Sequence, residues 1–244
     1  MIELTALPGL PEVRPGDDLA ALLHAAAGRI GGVRATDVLA VAHKVVSKAE
    51  GRLVALADIE PGPRARELAA GHGKDPRHVQ VVLDESEELL RADRGRLIAR
   101  TPHGFVCANA GVDASNAGAP DTLVLLPEDP DASARALRSA LGCAVIITDS
   151  FGRAWRHGQC EVAIGCAGLA PAEDWRGRGD ADGRQLNATH VAIADEAAAA
   201  ADLVRGKDTR QPAVRIRGLE HHVTADDGPG AAALIRALED DLFR

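Results

Sequence analysis

Short apolar runs alternate with amphipathic stretches along the whole chain. Ile2-Glu3-Leu4-Thr5-Ala6-Leu7 alternates with the period of a strand and breaks at Pro8-Gly9-Leu10-Pro11, where two prolines bracket a glycine in a rigid exposed loop. Asp17 then serves as the expected N-cap of a helix whose apolar stripe is Leu19, Leu22 and Leu23. A second strand, 37–42, delivers His43-Lys44-Val45-Val46-Ser47-Lys48 and then Gly51. Residues 63–91 are helical in character, with Asp75-Pro76 as N-cap and first helical residue. Val79, Val82, Leu83, Leu89 and Leu90 form the buried face of that stretch, and Asp84, Glu85, Glu87 and Glu88 a solvated acidic one.

Residues 97–100 and 104–108 read as a hairpin that leads into the polar run Asn109-Ala110-Gly111-Val112-Asp113-Ala114-Ser115-Asn116. A strand over 122–126 and a helix over 131–141, capped by Asp131, come next. Ala144-Val145-Ile146-Ile147 is wholly apolar, as in a strand buried on both faces. It runs into Thr148-Asp149-Ser150-Phe151-Gly152-Arg153, expected as the turn at the strand's end. The Gly- and Arg-rich stretch 174–183 is long for a loop, hence functional or mobile. A strand over 188–194, a helix from Asp195-Glu196 to about Val204, a turn at 206–209, a strand over 213–217 and a closing helix over 230–242 complete the pattern. Interleaved strands and helices without repeat or linker predict an α/β (mixed α+β) fold: a single domain over 1–244, at most two intertwined lobes.

Composition narrows the class. Apolar residues make up 46% but aromatics only 2%, so the core is built of Ala, Val, Leu and Ile. A formal net charge of -8 argues against a nucleic-acid partner. The four cysteines form no C-x-x-C pair and no signal peptide precedes them, which suits reduced thiols in a cytoplasm. No apolar run approaches the ~20 residues that span a bilayer.

Two acid-bearing strand ends carry the candidate chemistry. Asp113 and Asp149, with the Ser150 hydroxyl, are hard oxygen donors of the kind that hold Mg²⁺ or Mn²⁺ together with substrate phosphates; two unrelated turn aspartates are the plain alternative. Lys48 is a point charge suited to phosphate, or a solvated lysine. The loop Gly9-Leu10-Pro11 can pack on a base or ribose, and Gly206-Lys207-Asp208-Thr209 can wrap phosphates through backbone N–H groups; both can equally be plain connections. Neither G-x-x-x-x-G-K-[ST] nor G-x-G-x-x-G occurs, and G-x-S-x-G is missing as well. His157, His221 and His222 have no second ligand at metal spacing and read as surface residues.

The ordered blocks L-P-G-L-P (7–11), V-S-K-A-E-G-R (46–52), L-D-E-S-E-E-L-L (83–90), N-A-G-V-D-A-S-N (109–116), I-T-D-S-F-G-R-A-W-R (147–156), A-I-G-C-A-G-L (163–169), I-A-D-E-A-A-A-A-A (193–201) and G-K-D-T (206–209) closely resemble the coenzyme F420-0:L-glutamate ligase family over essentially the whole chain. The resemblance implies GTP-dependent addition of L-glutamate to the lactyl carboxylate of coenzyme F420-0 through an acyl phosphate, then γ-linked additions, with Mg²⁺ or Mn²⁺ and K⁺ as a further candidate cofactor. It implies a homodimer with a mixed fold of its own type. Asp113, Asp149 and Ser150 would hold metal. Gly9, Leu10, Pro11, His43, Lys48, Asn116 and the turn Gly206, Lys207, Asp208, Thr209 would contact GTP. Arg153, with Arg156, is assigned here to the anionic precursor or the transferring phosphoryl group.

Three departures accompany it. His43 stands where relatives commonly place a small hydroxyl residue, which puts a nucleotide contact there in doubt or changes its kind, and Lys207-Asp208 fills a turn where some carry glycine and glutamate, so that one metal ligand would differ or be missing. The chain ends at Phe243-Arg244, which suits the single-domain form rather than the form fused to a flavin-binding reductase-like domain. Two competing readings use the same residues: a metal-dependent phosphotransferase or hydrolase, and a non-catalytic nucleotide-sensing module.

Overall fold

The computed structural model describes residues 1–241. In chain order the elements are β1 (Glu3–Ala6), α1 (Leu19–Gly28), β2 (Val38–Ala42), α2 (His43–Ala49), β3 (Leu53–Ala55), α3 (Pro63–His72), α4 (Pro76–Asp84), β4 (Glu88–Asp93), β5 (Arg96–Arg100), β6 (Val106–Ala108), β7 (Thr122–Val124), α5 (Pro130–Leu141), β8 (Ala144–Arg153), β9 (Arg156–Ala167), β10 (Glu173–Asp174), β11 (His190–Val191), α6 (Ile193–Asp202) and β12 (Ala213–Arg217). The fold is mixed α/β, as the pattern predicts.

A five-stranded sheet in the order β1-β12-β2-β8-β9 forms the centre. β2 and β8 are parallel, and the other neighbours are antiparallel. Side chains of a strand alternate between its faces. Leu39, Val41, Val145 and Ile147 accordingly pack with α1 and α5, while Val38, Ala40, Ala144 and Ile146 pack with the alanines of α6. Small residues let these layers approach closely. At Gly165 an added Cβ would stand 2.3 Å from the Pro130 carbonyl oxygen, so only glycine admits the start of α5 there.

A second lobe is inserted between α2 and α5. It holds the β3–β7 pair, the sheet β4-β5-β6, α3 and α4 around its own core of Leu68, Val79, Val82, Leu97 and Leu123. Arg52 ties the lobes: its Nε donates to the Leu126 carbonyl at 3.0 Å and its guanidinium pairs with Glu85 at 2.6 Å.

Several local expectations are corrected. Asp18, not Asp17, caps α1, accepting from Ala21 N at 2.9 Å, while Asp17 accepts from Arg14 N. Residues 43–49, for which the sequence pattern predicts no element, form a helix directly after β2. The helical stretch 63–91 is two helices and then β4: Gly73 ends α3 in the left-handed conformation, and Leu89 and Leu90 belong to a strand. Asp129 caps α5, and Asp131 instead accepts the N–H groups of Cys166, Ala231 and Ala232, tying the C-terminal segment to β9. The 188–194 strand shrinks to β11, because Ile193 already opens α6. The closing helix is two 3₁₀ turns, Ala231–Leu234 and Leu238–Asp240; its expected last residue, Leu242, lies outside the described residues.

The largest correction concerns 148–153. The strand does not end at Ile147: β8 continues to Arg153 and pairs with β9 in a long hairpin whose turn is at 154–155. The sequence signal that suggested a turn, Asp and Ser before a glycine, was overridden by antiparallel pairing with β9.

All four cysteines are free thiols, and burial pushes those of Cys107, Cys143 and Cys166 up to about 12. No helix among the described residues is long and apolar enough to cross a membrane.

Candidate active site

The parallel pair β2/β8 sets the position. Ala42 pairs with Thr148, so the first turn of α2 starts beside Asp149 at the carboxyl end of β2, where its parallel pairing with β8 stops; ligand sites of α/β sheets lie at such strand ends. His43, 2% exposed, places Nε2 3.2 Å from Asp149 Oδ1, off the line of a hydrogen bond, and Nδ1 3.3 Å from Ser47 Oγ. The next residue, Lys44, reaches the other lobe. Its Nζ donates to Asp113 Oδ2 at 2.6 Å, to Ser115 Oγ at 2.6 Å and to the Ser115 carbonyl at 3.0 Å. Thus the two aspartates, 36 positions apart by their numbers in the chain, are both gathered by the first turn of one helix.

Burial opposes ionisation of Asp149, but the charge and contact of His43, the Ser150 N–H and the charge of Lys44 outweigh it and hold the carboxyl below its usual range. Asp113 behaves likewise: burial raises it, and Lys44 together with the Ser115 N–H and hydroxyl lowers it further. Both are carboxylates at neutral pH. Each faces one basic side chain, Lys44 for Asp113 and His43 for Asp149.

Period-two alternation sends Ser150 to the opposite face of β8 from Asp149. There its hydroxyl donates to Glu161, a β9 carboxylate only 4% exposed, and accepts from Lys207 Nζ at 2.9 Å. Arg205, 7% exposed, pairs with Glu161 Oε2 at 2.6 Å and donates to Thr148 Oγ1 at 3.0 Å. Burial pushes Glu161 up, but Arg205 first, then Ser150, Thr148 and Lys207, bring it below the usual carboxylate range.

One turn further along α2, Lys48 is 5% exposed and donates to Glu12, which follows the 9–11 loop. Gly118 lies against the same pair: an added Cβ would stand 3.1 Å from Glu12 Oε1 and 3.7 Å from Lys48 Nζ. The Asn116 loop, the Gly9-Leu10-Pro11 loop and Lys48 therefore converge, with Arg29 steadying the latter loop through the Pro8 and Gly9 carbonyls at 3.1 and 2.7 Å. Leu10 is buried as an anchor, while Gly9, Pro11 and Asn116 are exposed. In the 206–209 turn Thr209 donates to the Gly206 carbonyl, and Asp208 and Thr209 face solvent.

Arg153 is not brought to this cluster within one chain. It lies four residues beyond Asp149 on an extended strand, roughly 13 Å along it, exposed at the hairpin tip, with NH2 3.4 Å from the His157 carbonyl. Lys44, Glu12, Ser115, Glu161 and Arg205 are the site residues that sequence reasoning missed. Lys44 and Lys48, four apart, carried a helical signal. Glu161 is a lone acid opening an otherwise apolar strand run, which marks a buried carboxylate in need of a partner.

Among the described residues no three His, Cys, Asp or Glu side chains form a ready-made metal cage. The donors still suit a hard divalent cation, since Mg²⁺ keeps few protein carboxylates and completes its shell with water and phosphate oxygens. Asp113 and Asp149, both ionised, fit that pattern.

These pKa shifts predict an acid-labile fold. A carboxyl held below its unfolded value stabilises above about pH 4, and the contribution is lost as pH falls through the folded value. Glu50 and Asp195, pushed up by burial, act in the opposite sense and favour the fold in acid. With three depressed groups in the site, the urea midpoint is expected to hold near neutrality and fall steeply below about pH 4; a midpoint that stayed level there would show the depressed groups to be unimportant.

The chain was compared with known proteins. The family described as F420-0:gamma-glutamyl ligase matches residues 9–218. Coenzyme F420:L-glutamate ligase of Methanopyrus kandleri is 47% identical over 251 aligned residues, which cover 100% of this chain and 98% of that protein. The protein of the same name from Natronomonas pharaonis is 47% identical, covering 100% and 95%, and that of Methanothermobacter thermautotrophicus 45%, covering 100% and 99%. On a match of this identity and extent, the chain belongs to the F420-0:gamma-glutamyl ligase family.

Proposed function

We propose that this protein joins L-glutamate to the terminal carboxylate of coenzyme F420-0, and then further glutamates through γ-linkages, at the expense of GTP. The observation that carries the reading is the convergence of Asp113 and Asp149 on one turn of α2, beside two loops and a buried lysine suited to a nucleotide.

An amine does not displace oxide from a free carboxylate, because oxide is too poor a leaving group; converting the carboxylate to an acyl phosphate supplies a good one. Phosphoryl transfer asks little covalent chemistry of a protein beyond positioning and charge neutralisation. Bound Mg²⁺ or Mn²⁺ would neutralise phosphate charge, and Asp113 and Asp149 are the residues that would hold it. Lys44 spans the two lobes and holds Asp113 beside α2. Lys48 and Glu12 fix the 9–11 loop against the Asn116 loop, which sets the nucleotide's place before it arrives. Pro11 and the exposed turn 206–209 are the further surfaces that the family resemblance assigns to the nucleotide.

The test is incubation with F420-0, L-glutamate, GTP and Mn²⁺, read by mass spectrometry for glutamate-sized increments and by GDP release. Increments that need all components are the expected result. GTP hydrolysis that ignores glutamate would move the assignment to a hydrolase, and tight GTP binding without turnover to a nucleotide sensor.

A further inference from the structure

We propose that the ammonium group of Lys207 is the resident cation of an oxygen-lined site on the Ser150 face of β8, and that no divalent ion binds there while Lys207 is present. Nζ lies 2.9 Å from Ser150 Oγ, 3.3 Å from Glu161 Oε1 and 3.2 Å from Asp202 Oδ1. The three acceptors come from β8, β9 and α6, and an ammonium has three N–H donors to meet them. The nest is rigid. Glu161 is 4% exposed and held from behind by Arg205 on Oε2, which presents Oε1 to the lysine.

Charge points the same way. Glu161 and Asp202 are balanced by Arg205 and Lys207, so the cluster is neutral as it stands. A divalent ion entering it would meet an ammonium a few ångströms away without net attraction. Deleting Lys207 leaves an anionic pocket of three oxygens, open on the side the lysine stem occupied, since that side chain is 69% exposed. Oxygen donors with an uncompensated negative charge are what Mg²⁺ and Mn²⁺ take. Asp149 faces the other side of the strand. The cation of the proposed nucleotide site therefore rests on Asp113 and Asp149, and the Ser150 hydroxyl belongs to Lys207.

Mn²⁺ bound to the full chain, counted by electron paramagnetic resonance of the free ion, tests this in wild type, Lys207→Met, Asp202→Asn and Lys207→Met/Asp202→Asn. Lys207→Met should take up about one Mn²⁺ per chain more than wild type, and the double variant should lose it. Asp202→Asn alone should leave the wild-type count unchanged. Equal counts in wild type and Lys207→Met overturn the proposal. So does a wild-type count that drops with Asp202→Asn, because metal would then be displacing the lysine; this comparison does not depend on a Lys207 variant folding. Neither count requires turnover, so failure of the ligase reading and failure of this inference are separately visible.

Discussion

Asp149→Asn should lower glutamate-dependent turnover by roughly 10²–10³-fold, about 2.7–4 kcal/mol of transition-state stabilisation, the range for removing one preorganised electrostatic group. The substitution keeps size and shape but removes the charge that His43 and Lys44 face and that a divalent cation would need. It should also lower thermal stability, because a carboxyl held below its usual range stabilises the fold while it is ionised. Weaker Mn²⁺ binding must accompany the kinetic loss. A variant within threefold of wild-type kcat would remove Asp149 from the chemistry, and the His43–Asp149 contact would then be purely structural.

The second large effect belongs to folding. Arg205→Met should destabilise the protein by about 3–5 kcal/mol, the cost of stranding a buried charge. For a chain of this size that corresponds to a drop in Tm of roughly 6–20 °C. Glu161 would lose its 2.6 Å partner at 4% exposure, and Thr148 its donor at 3.0 Å. The double variant Arg205→Met/Glu161→Gln should recover much of the loss, since the penalty comes from an uncompensated carboxylate rather than from missing attraction. Thermal denaturation of the two variants side by side decides it. Equal Tm values would show that the pair's packing, not its charge, is what stabilises this corner.

These two residues mark the boundary of what a linear reading reaches. Asp149 was legible: an acid two residues beyond four buried apolar residues of a strand is a recognisable signal. Arg205 was not, because nothing at 203–206 distinguishes it from a solvated arginine after a helix. The expected pairing of Asp149 with Ser150 on one cation had sound residue chemistry but assumed a turn. Continuation of β8 to Arg153 makes the pair alternate across the sheet and carries Arg153 out to the hairpin tip. His43, expected against the nucleotide, is instead buried against Asp149. The acidic run at 84–88 was read as a helix face, yet it spans the end of α4 and the start of β4, where Glu85, Glu87 and Glu88 pair with Arg52 and Arg100.

By itself the sequence determined the class of fold, the strand buried at 144–147, the hairpin at 97–108, the cap at Asp75 and the ordered blocks of the family. Each of these is local: it depends on periodicity, backbone preference or residue identity within a few positions. Tertiary structure alone decided that Lys44 meets Asp113 across 69 positions, that Lys207 meets Ser150 across 57, and that Ser150 and Asp149 serve different faces. Those meetings follow from the order β1-β12-β2-β8-β9 and from a lobe inserted between α2 and α5. Contact between distant segments is fixed by how whole layers bury their apolar faces together, and no short window of residues contains that information.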